Sequence, residues 1–320
     1  MKFATLPNGT SDGALYVVSR DHSRCAPALA VSTLQALLED WDQFAAALQA
    51  EYDAVNAGAG VEFDPTQTLS PLPRAWQWLD GSAYDSHGAL MEKVFNIAPL
   101  PTWPPLMYQG ISDRFHAPCA DVPLPSEDDG IDFEGEFGII TDRVPMGTDA
   151  EAAFSHIRLL VQVNDWSLRK LAPREMKTGF GWLQCKPACT MAPVAVTPDE
   201  LGDAWRDARI DLPLIVDWNG TRFGAAEGYE MSVGFDQLIA HAAYSRDLVA
   251  GTVIGSGTVS NETYREVGSS CIAERRGIEI LDHGAPETDF MRFGDQVRME
   301  AVARDGTPLF GAINQRVVKG

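Results

Sequence analysis

The sequence predicts an α+β fold rich in β-strands, and three observations carry that expectation. From residue 130 onward the apolar residues fall in short runs, at 131–140, 157–163, 194–196, 213–217, 252–259 and 297–303, as strands do. Helical periodicity is confined to a few segments, the longest at 31–56. A stretch rich in proline and tryptophan, from Pro65 to Pro105, separates the N-terminal part from the rest. The expected organisation is a small N-terminal α+β domain over 1–75, a Pro/Trp-rich connection over 76–105 and a larger domain over 106–320.

Taken in order, 3–6 and 14–18 read as strands on either side of an Asn8-Gly9 turn signal. Leu34, Leu37, Leu38, Trp41, Phe44 and Leu48 recur at three- and four-residue spacing, so 31–56 reads as helix. Ser32 or Thr33 can cap it, and Gly58 and Gly60 end it. A short helix is expected at 83–94. Further helices are expected at 151–155, 166–171 and 236–245, with a helical turn at 198–206. Asn219-Gly220 marks a hairpin. No internal repeat or low-complexity segment is visible.

The chain has 320 residues, 45% hydrophobic and 22% charged, the composition of a globular protein with a sizeable core. A formal net charge of -20 argues against binding the nucleic-acid backbone or an anionic membrane surface. No signal peptide is read at the N-terminus and no run of apolar residues reaches the roughly 18 of a membrane span, so a cytoplasmic protein is expected. Five scattered cysteines, at 25, 119, 185, 189 and 271, read as reduced thiols. Cys185 and Cys189 stand four apart, but no second Cys or His pair completes a zinc site.

Chemistry concentrates in a few places. Read as one strand, 130–140 puts Asp132, Glu134 and Glu136 on one face and Ile131, Phe133 and Phe137 on the other. Three adjacent carboxylates call either for water, as on an edge strand, or for a hard cation such as Mg²⁺ or Ca²⁺, which prefers oxygen ligands. Asp165, in Asn164-Asp165-Trp166-Ser167, either points into a cleft from a strand end or caps the next helix. Lys186, in a Pro-bounded apolar stretch, is either a surface residue or a cation facing a developing anion. His116 is a candidate general base, or a structural histidine. Gly255-Ser256-Gly257-Thr258 is either a plain turn or a small-residue loop that admits a ligand carboxylate.

In this order the motifs resemble the fumarylacetoacetate hydrolase superfamily, whose members cleave C–C bonds in, or decarboxylate or isomerise, 2-oxo and β-dicarbonyl acids. The resemblance covers about 100–320, and 1–75 looks like the small N-terminal domain of longer bacterial-type relatives. It implies a mixed β-sandwich or β-roll catalytic domain. It further implies Glu134, Glu136 and Asp165 as ligands of Mg²⁺ (or Ca²⁺ or Mn²⁺), with Lys186 as the active-site lysine. His116 is then the general base, oriented by Glu274 in Ser270-Cys271-Ile272-Ala273-Glu274-Arg275. Arg169, Gly257 and Thr258 are implied as substrate contacts.

Three positions depart from the namesake enzymes. Gln109, seven residues before His116, stands where they carry a fourth, acidic ligand; it can still coordinate through its carbonyl oxygen or contact a bound water, and is counted among the substrate-binding residues. Ile111 replaces a tyrosine and Ala172 a glutamine. The activity implied is metal-dependent hydrolysis of a C–C bond in a β-diketone or acylpyruvate-type 2-oxo acid, resembling fumarylacetoacetate or fumarylpyruvate, in aromatic-compound catabolism. Oxaloacetate decarboxylation, or hydration or isomerisation of a 2-oxo acid, is the alternative. The resemblance also implies a homodimer with a small-molecule substrate and neither nucleic acid nor membrane as partner.

Overall fold

A long mixed sheet organises the chain. The structure, a computed structural model, describes residues 1–95 and 103–320, without the Phe95 side chain. Among these the main sheet has eleven strands. Its order runs Val61–Glu62, Arg24–Pro27, Ala14–Val18, Lys2–Leu6, Ala195–Val196, Ile157–Asn164, Gly135–Thr141, Thr252–Gly255, Gln77–Gly81 and Met107–Gly110, and Thr190–Met191 pairs with the end of Ile157–Asn164. Thr252–Gly255 and Gln77–Gly81 run parallel. A second sheet of five strands runs Thr221–Glu227, Pro213–Trp218, Gln296–Glu300, Ile313–Lys319 and Val122–Leu124. The result is a strand-rich α+β fold with no closed barrel among the described residues.

The two sheets share a core. Phe137 of the main sheet meets Phe310 at 6.1 Å between ring centroids. Gly135 leaves room for Leu214 and Val216 of the second sheet, since a Cβ there would fall 2.9 Å from Leu214 Cδ2. On the opposite face of the main sheet, Leu159, Val161 and Val163 pack with Leu34, Leu37, Leu48 and Tyr52 of the N-terminal helices, whereas Leu160 faces the shared core. Burial on both faces explains why 157–163 reads as an unbroken apolar run and does not alternate. Lys2–Leu6 pairs with Ala195–Val196, so the N-terminal hairpin and the later strands form one continuous ladder.

Several expectations shift in register or kind. The 31–56 helix divides at Asp40 into Leu34–Glu39 and Trp41–Asn56, with Thr33 accepting from the Ala36 N–H at 3.2 Å. The single acidic strand is two, Ile131–Asp132 and Gly135–Thr141, separated at Phe133-Glu134. It is buried throughout, so the solvated edge strand is excluded. The helix expected at 166–171 is instead the strand Ser167–Leu168, paired with Ile131–Asp132. The connection contributes Gln77–Gly81 to the main sheet, a strand hidden by the prolines around it. The helix Ile272–His283 and the strand Ile313–Lys319 were not anticipated. The first is rich in charge, and the second buries Gln315, so neither shows a clean apolar pattern. Asn219 and Gly220 both take positive φ, as the turn of a tight hairpin requires.

The helix Asp85–Phe95 lies against Ile272–His283, and Gly277 allows the approach. A Cβ there would stand 2.9 Å from Met91 Cε and 3.2 Å from Val94 Cγ2. No helix among the described residues is long and apolar enough to cross a membrane. Leu160→Ala opens a cavity in a strand packed from both sides. It is expected to lower unfolding stability by about 2–5 kcal/mol, read as an earlier urea midpoint; an unchanged midpoint would show that this strand is not central to the core.

Candidate active site

Sheet register places the site. Across the strands, Glu136 lies opposite Val163, Gly255 opposite both Gly138 and Asp80, and Asp80 opposite Tyr108. Opposed residues project from the same face, and so do residues two apart, so Glu136, Asp80 and Tyr108 point the same way. Gly255 sits between the two carboxylates. A Cβ at that position would fall 2.4 Å from Asp80 Oδ1 and 3.0 Å from Glu136 Oε2. Glu134 enters from the break between the two short strands. Its N–H donates to Asn164 Oδ1 at 3.0 Å and its C=O accepts from the Asp165 N–H at 2.9 Å, which ties it to the end of Ile157–Asn164. One oxygen from each of Asp80, Glu134, Glu136 and Asp165 therefore lies within 4.8 Å of the others, and all four residues are buried.

Two cations answer part of this charge. The Lys186 ammonium donates to Glu134 Oε2 and, at 2.5 Å, to Asp165 Oδ2. Its Nζ lies 5.5 Å from the Tyr108 ring centroid and 5.6 Å from that of Trp182. Arg169 donates from Nε to Asp132 Oδ2 at 2.7 Å and pairs with Glu134 Oε1 at 2.6 Å. Asp132 itself leaves the cluster and caps the helix Ile272–His283, accepting from the N–H groups of Ile272 and Ala273. Tyr108 Oη and Cys189 Sγ donate to Asp165, and the Gly257 N–H donates to Asp80 Oδ1 at 3.1 Å. Both oxygens of Glu136 are buried with no hydrogen-bond partner.

The electrostatics follow. Burial pushes Asp80 and Glu136 well above the usual carboxylate range, and the neighbouring carboxylates add to it. Asp165 is also raised, by burial, despite Lys186. Burial acts the same way on Glu134, but Arg169 and Lys186 hold it at about 2. Burial would discharge Lys186, yet Asp165 and Glu134 keep its pKa above the ordinary lysine value. With Asp132 included, five carboxylates face two cations, an excess of three negative charges if all are ionised. An all-oxygen donor set with this excess, and an orphaned buried Glu136, fits a hard divalent cation.

The expected histidine is displaced. His116 donates its backbone N–H to Cys189 O at 2.8 Å and bridges Thr190. Burial, helped by Arg114, lowers its ring pKa to about 4, and the ring forms no ion pair with Glu274. The histidine beside Glu274 is His87, in the first turn of Asp85–Phe95, with Nδ1 3.6 Å from Glu274 Oε1. Glu134 forms a backbone bridge with Cys271, three residues before Glu274, so the His87–Glu274 pair borders the carboxylate cluster.

Gln109 is displaced for a related reason. It is exposed and accepts from Arg246 at 3.0 Å, because strand alternation turns it outward and its neighbour Tyr108 inward. The fourth carboxylate is Asp80. The sequence holds a signal for this arrangement: Asp80 and His87 stand seven residues apart, the same spacing as Gln109 and His116. Ile111 is exposed and Ala172 opens the helix Ala172–Thr178, both outside the cluster. Gly257 and Thr258 are buried in the loop behind Asp80, where the Gly257 N–H is already used.

Comparison with known proteins agrees with this architecture. A family model described as fumarylacetoacetate (FAA) hydrolase C-terminal matches residues 77–318, and one described as fumarylacetoacetase N-terminal domain 2 matches 1–74. A 2,4-didehydro-3-deoxy-L-rhamnonate hydrolase from Sphingomonas sp. (strain SKA58) is 29% identical over 181 residues, 56% of this chain and 59% of that enzyme, so less than two thirds of its length is matched. A crystal structure assigned provisionally as an HpcE protein from Mycobacterium smegmatis superposes with a TM-score of 0.73 at 22% identity, covering 100% of both chains. Maleylpyruvate hydrolase from Sphingobium sp. SYK-6, solved with manganese(II) and pyruvate, gives 0.67 at 18% identity, again over 100% of both chains. These structural likenesses speak to the fold, and the match over 77–318 settles the lineage: the chain belongs to the fumarylacetoacetate hydrolase family.

Proposed function

We propose that this protein is a divalent-metal-dependent hydrolase that cleaves a C–C bond in an acylpyruvate-type 2-oxo acid. The observation that carries the proposal is the convergence of Asp80, Glu134, Glu136 and Asp165 beside a His87–Glu274 pair. The Sphingobium enzyme of the same fold, solved with manganese(II) and pyruvate, supports both the metal and the substrate class. Mg²⁺, Mn²⁺ and Ca²⁺ all suit the oxygen donors.

The four carboxylates would hold the metal, which supplies Lewis-acid stabilisation of the negative charge on the departing 2-oxo fragment. Lys186 adds a fixed positive charge over the same region, kept charged by Glu134 and Asp165. His87 takes a proton from water, and Glu274 orients the ring and stabilises the imidazolium. The resulting hydroxide adds to the acyl carbonyl carbon. Collapse of that adduct breaks the C–C bond, giving a carboxylic acid and the enolate of pyruvate, which takes up the proton from the His87 imidazolium at carbon to leave pyruvate and neutral His87. Arg169 keeps Glu134 ionised and in place.

Turnover of acetylpyruvate and fumarylpyruvate, followed by loss of ultraviolet absorbance with Mg²⁺ or Mn²⁺ and with EDTA, tests the reaction. Metal-dependent loss is expected, and silence on every acylpyruvate would sink the proposal. Mn²⁺ is expected to raise the melting temperature of the parent protein, and Glu136→Ala is expected to abolish both that rise and the activity. A variant that still responded to Mn²⁺ would remove Glu136 from the ligand set. His87→Ala should lower hydrolysis by about 10²–10⁴-fold, the usual range for a general base. His116→Ala should stay within a few-fold of the parent; the opposite ranking would return the role to His116.

A further inference from the structure

We propose that Ser260 is a positioning residue that presents the Glu274 carboxylate to His87; the inference rests on the His87–Glu274 pairing in the function proposed above. Ser260 follows the Gly255-Ser256-Gly257-Thr258 loop and is 1% exposed. Its Oγ donates to Glu274 Oε1 and accepts from Ser86 Oγ at 2.9 Å. Ser86 directly precedes His87. A row of hydroxyls thus runs from the helix bearing the histidine, through Ser260, to the carboxylate on the helix packed against it.

Three features make this row decisive. Glu274 is fully buried, and its other oxygen, Oε2, has no hydrogen-bond partner among the described residues. Among the described residues Ser260 therefore supplies the one side-chain hydrogen bond that orients this carboxylate. His87 Nδ1 is likewise buried without a hydrogen-bond partner, 3.6 Å from the oxygen that Ser260 holds. A small rotation of either side chain makes or loses the contact, so the anchor of Glu274 determines the orientation of the imidazole. Finally, Ser260 is itself fixed. Asn261 Oδ1 accepts from the Glu227 N–H at 2.7 Å, and its Nδ2 donates to the carbonyls of Glu227 and Ser260, both at 2.9 Å. The second sheet thereby sets the place of the hydroxyl.

Losing a hydrogen bond to a charged group corresponds to roughly 10–100-fold. Ser260→Ala is expected to lower kcat on an acylpyruvate by that factor, with KM nearly unchanged, and Ser260→Thr to restore most of it. If Ser260 works through Glu274, the double variant Ser260→Ala/Glu274→Gln is no slower than Glu274→Gln alone. A readout independent of turnover is the ring ¹⁵N resonances of His87, assigned by their loss in His87→Gln. These should move in the same direction in Ser260→Ala and Glu274→Gln, less in Ser86→Ala, and return in Ser260→Thr. Unmoved His87 resonances in Ser260→Ala, or fully additive losses in the double variant, would overturn the assignment. A parent protein silent on every acylpyruvate would overturn the proposed reaction, and the resonances would still decide the role of Ser260.

Discussion

Four buried carboxylates with oxygens inside 4.8 Å are the constraint to which the rest of the site responds. Two unit charges about 4 Å apart repel by roughly 4 kcal/mol at the effective dielectric of a protein surface region, and more where water is excluded. Such an arrangement persists only if neighbours compensate it. Lys186 spans Glu134 and Asp165, Arg169 holds Glu134 from the other side, and the Gly257 N–H meets Asp80. Glu136 feels the Lys186 charge but accepts a hydrogen bond at neither oxygen among the described residues, and is the group with most to gain from a bound cation. The backbone contributes by omission: Gly255 has no side chain to force Asp80 and Glu136 apart.

The site divides its work between rigid and packed elements. The main sheet carries Glu136 and Asp80 on the two strands that flank Thr252–Gly255, and Asp165 directly follows Ile157–Asn164, so their spacing follows from hydrogen-bonded register. The helices Asp85–Phe95 and Ile272–His283 carry His87 and Glu274 and approach at Gly277. Asp132 links the two systems. It shares Arg169 with Glu134 and caps the helix of Glu274, so one acidic segment serves both the carboxylate cluster and the His87–Glu274 pair.

What the sequence revealed, and what it concealed, has a physical explanation. Glu134 and Glu136 were legible because carboxylates within an apolar strand pattern conflict with burial; Asp165 and Lys186 each had an ordinary reading and were singled out only by the family resemblance, and the structure brings all four together. The strand-rich fold class was legible from the short apolar runs. Asp80 and His87 were obscured because Gln77–Gly81 is a five-residue strand bordered by prolines, which reads as a linker. Gln109 was singled out only by its seven-residue spacing from His116; strand pairing, which the residue itself does not reveal, turns it outward and Tyr108 inward. The dual role of Asp132 depends on a helix whose charged sequence gave no apolar stripe.

The ladder between Lys2–Leu6 and Ala195–Val196 has a consequence for how the chain can be divided. Residues 1–74 and 77–318 match two separate family descriptions, yet the N-terminal strands extend the same sheet that bears the acidic cluster. Excising the first segment would strip the cover from Leu159, Val161 and Val163 and leave Ala195–Val196 as a raw sheet border with unpaired amides. Such a border is a template for intermolecular strand addition. The N-terminal hairpin and its helices therefore act as a built-in guard against aggregation of the segment that carries the chemistry.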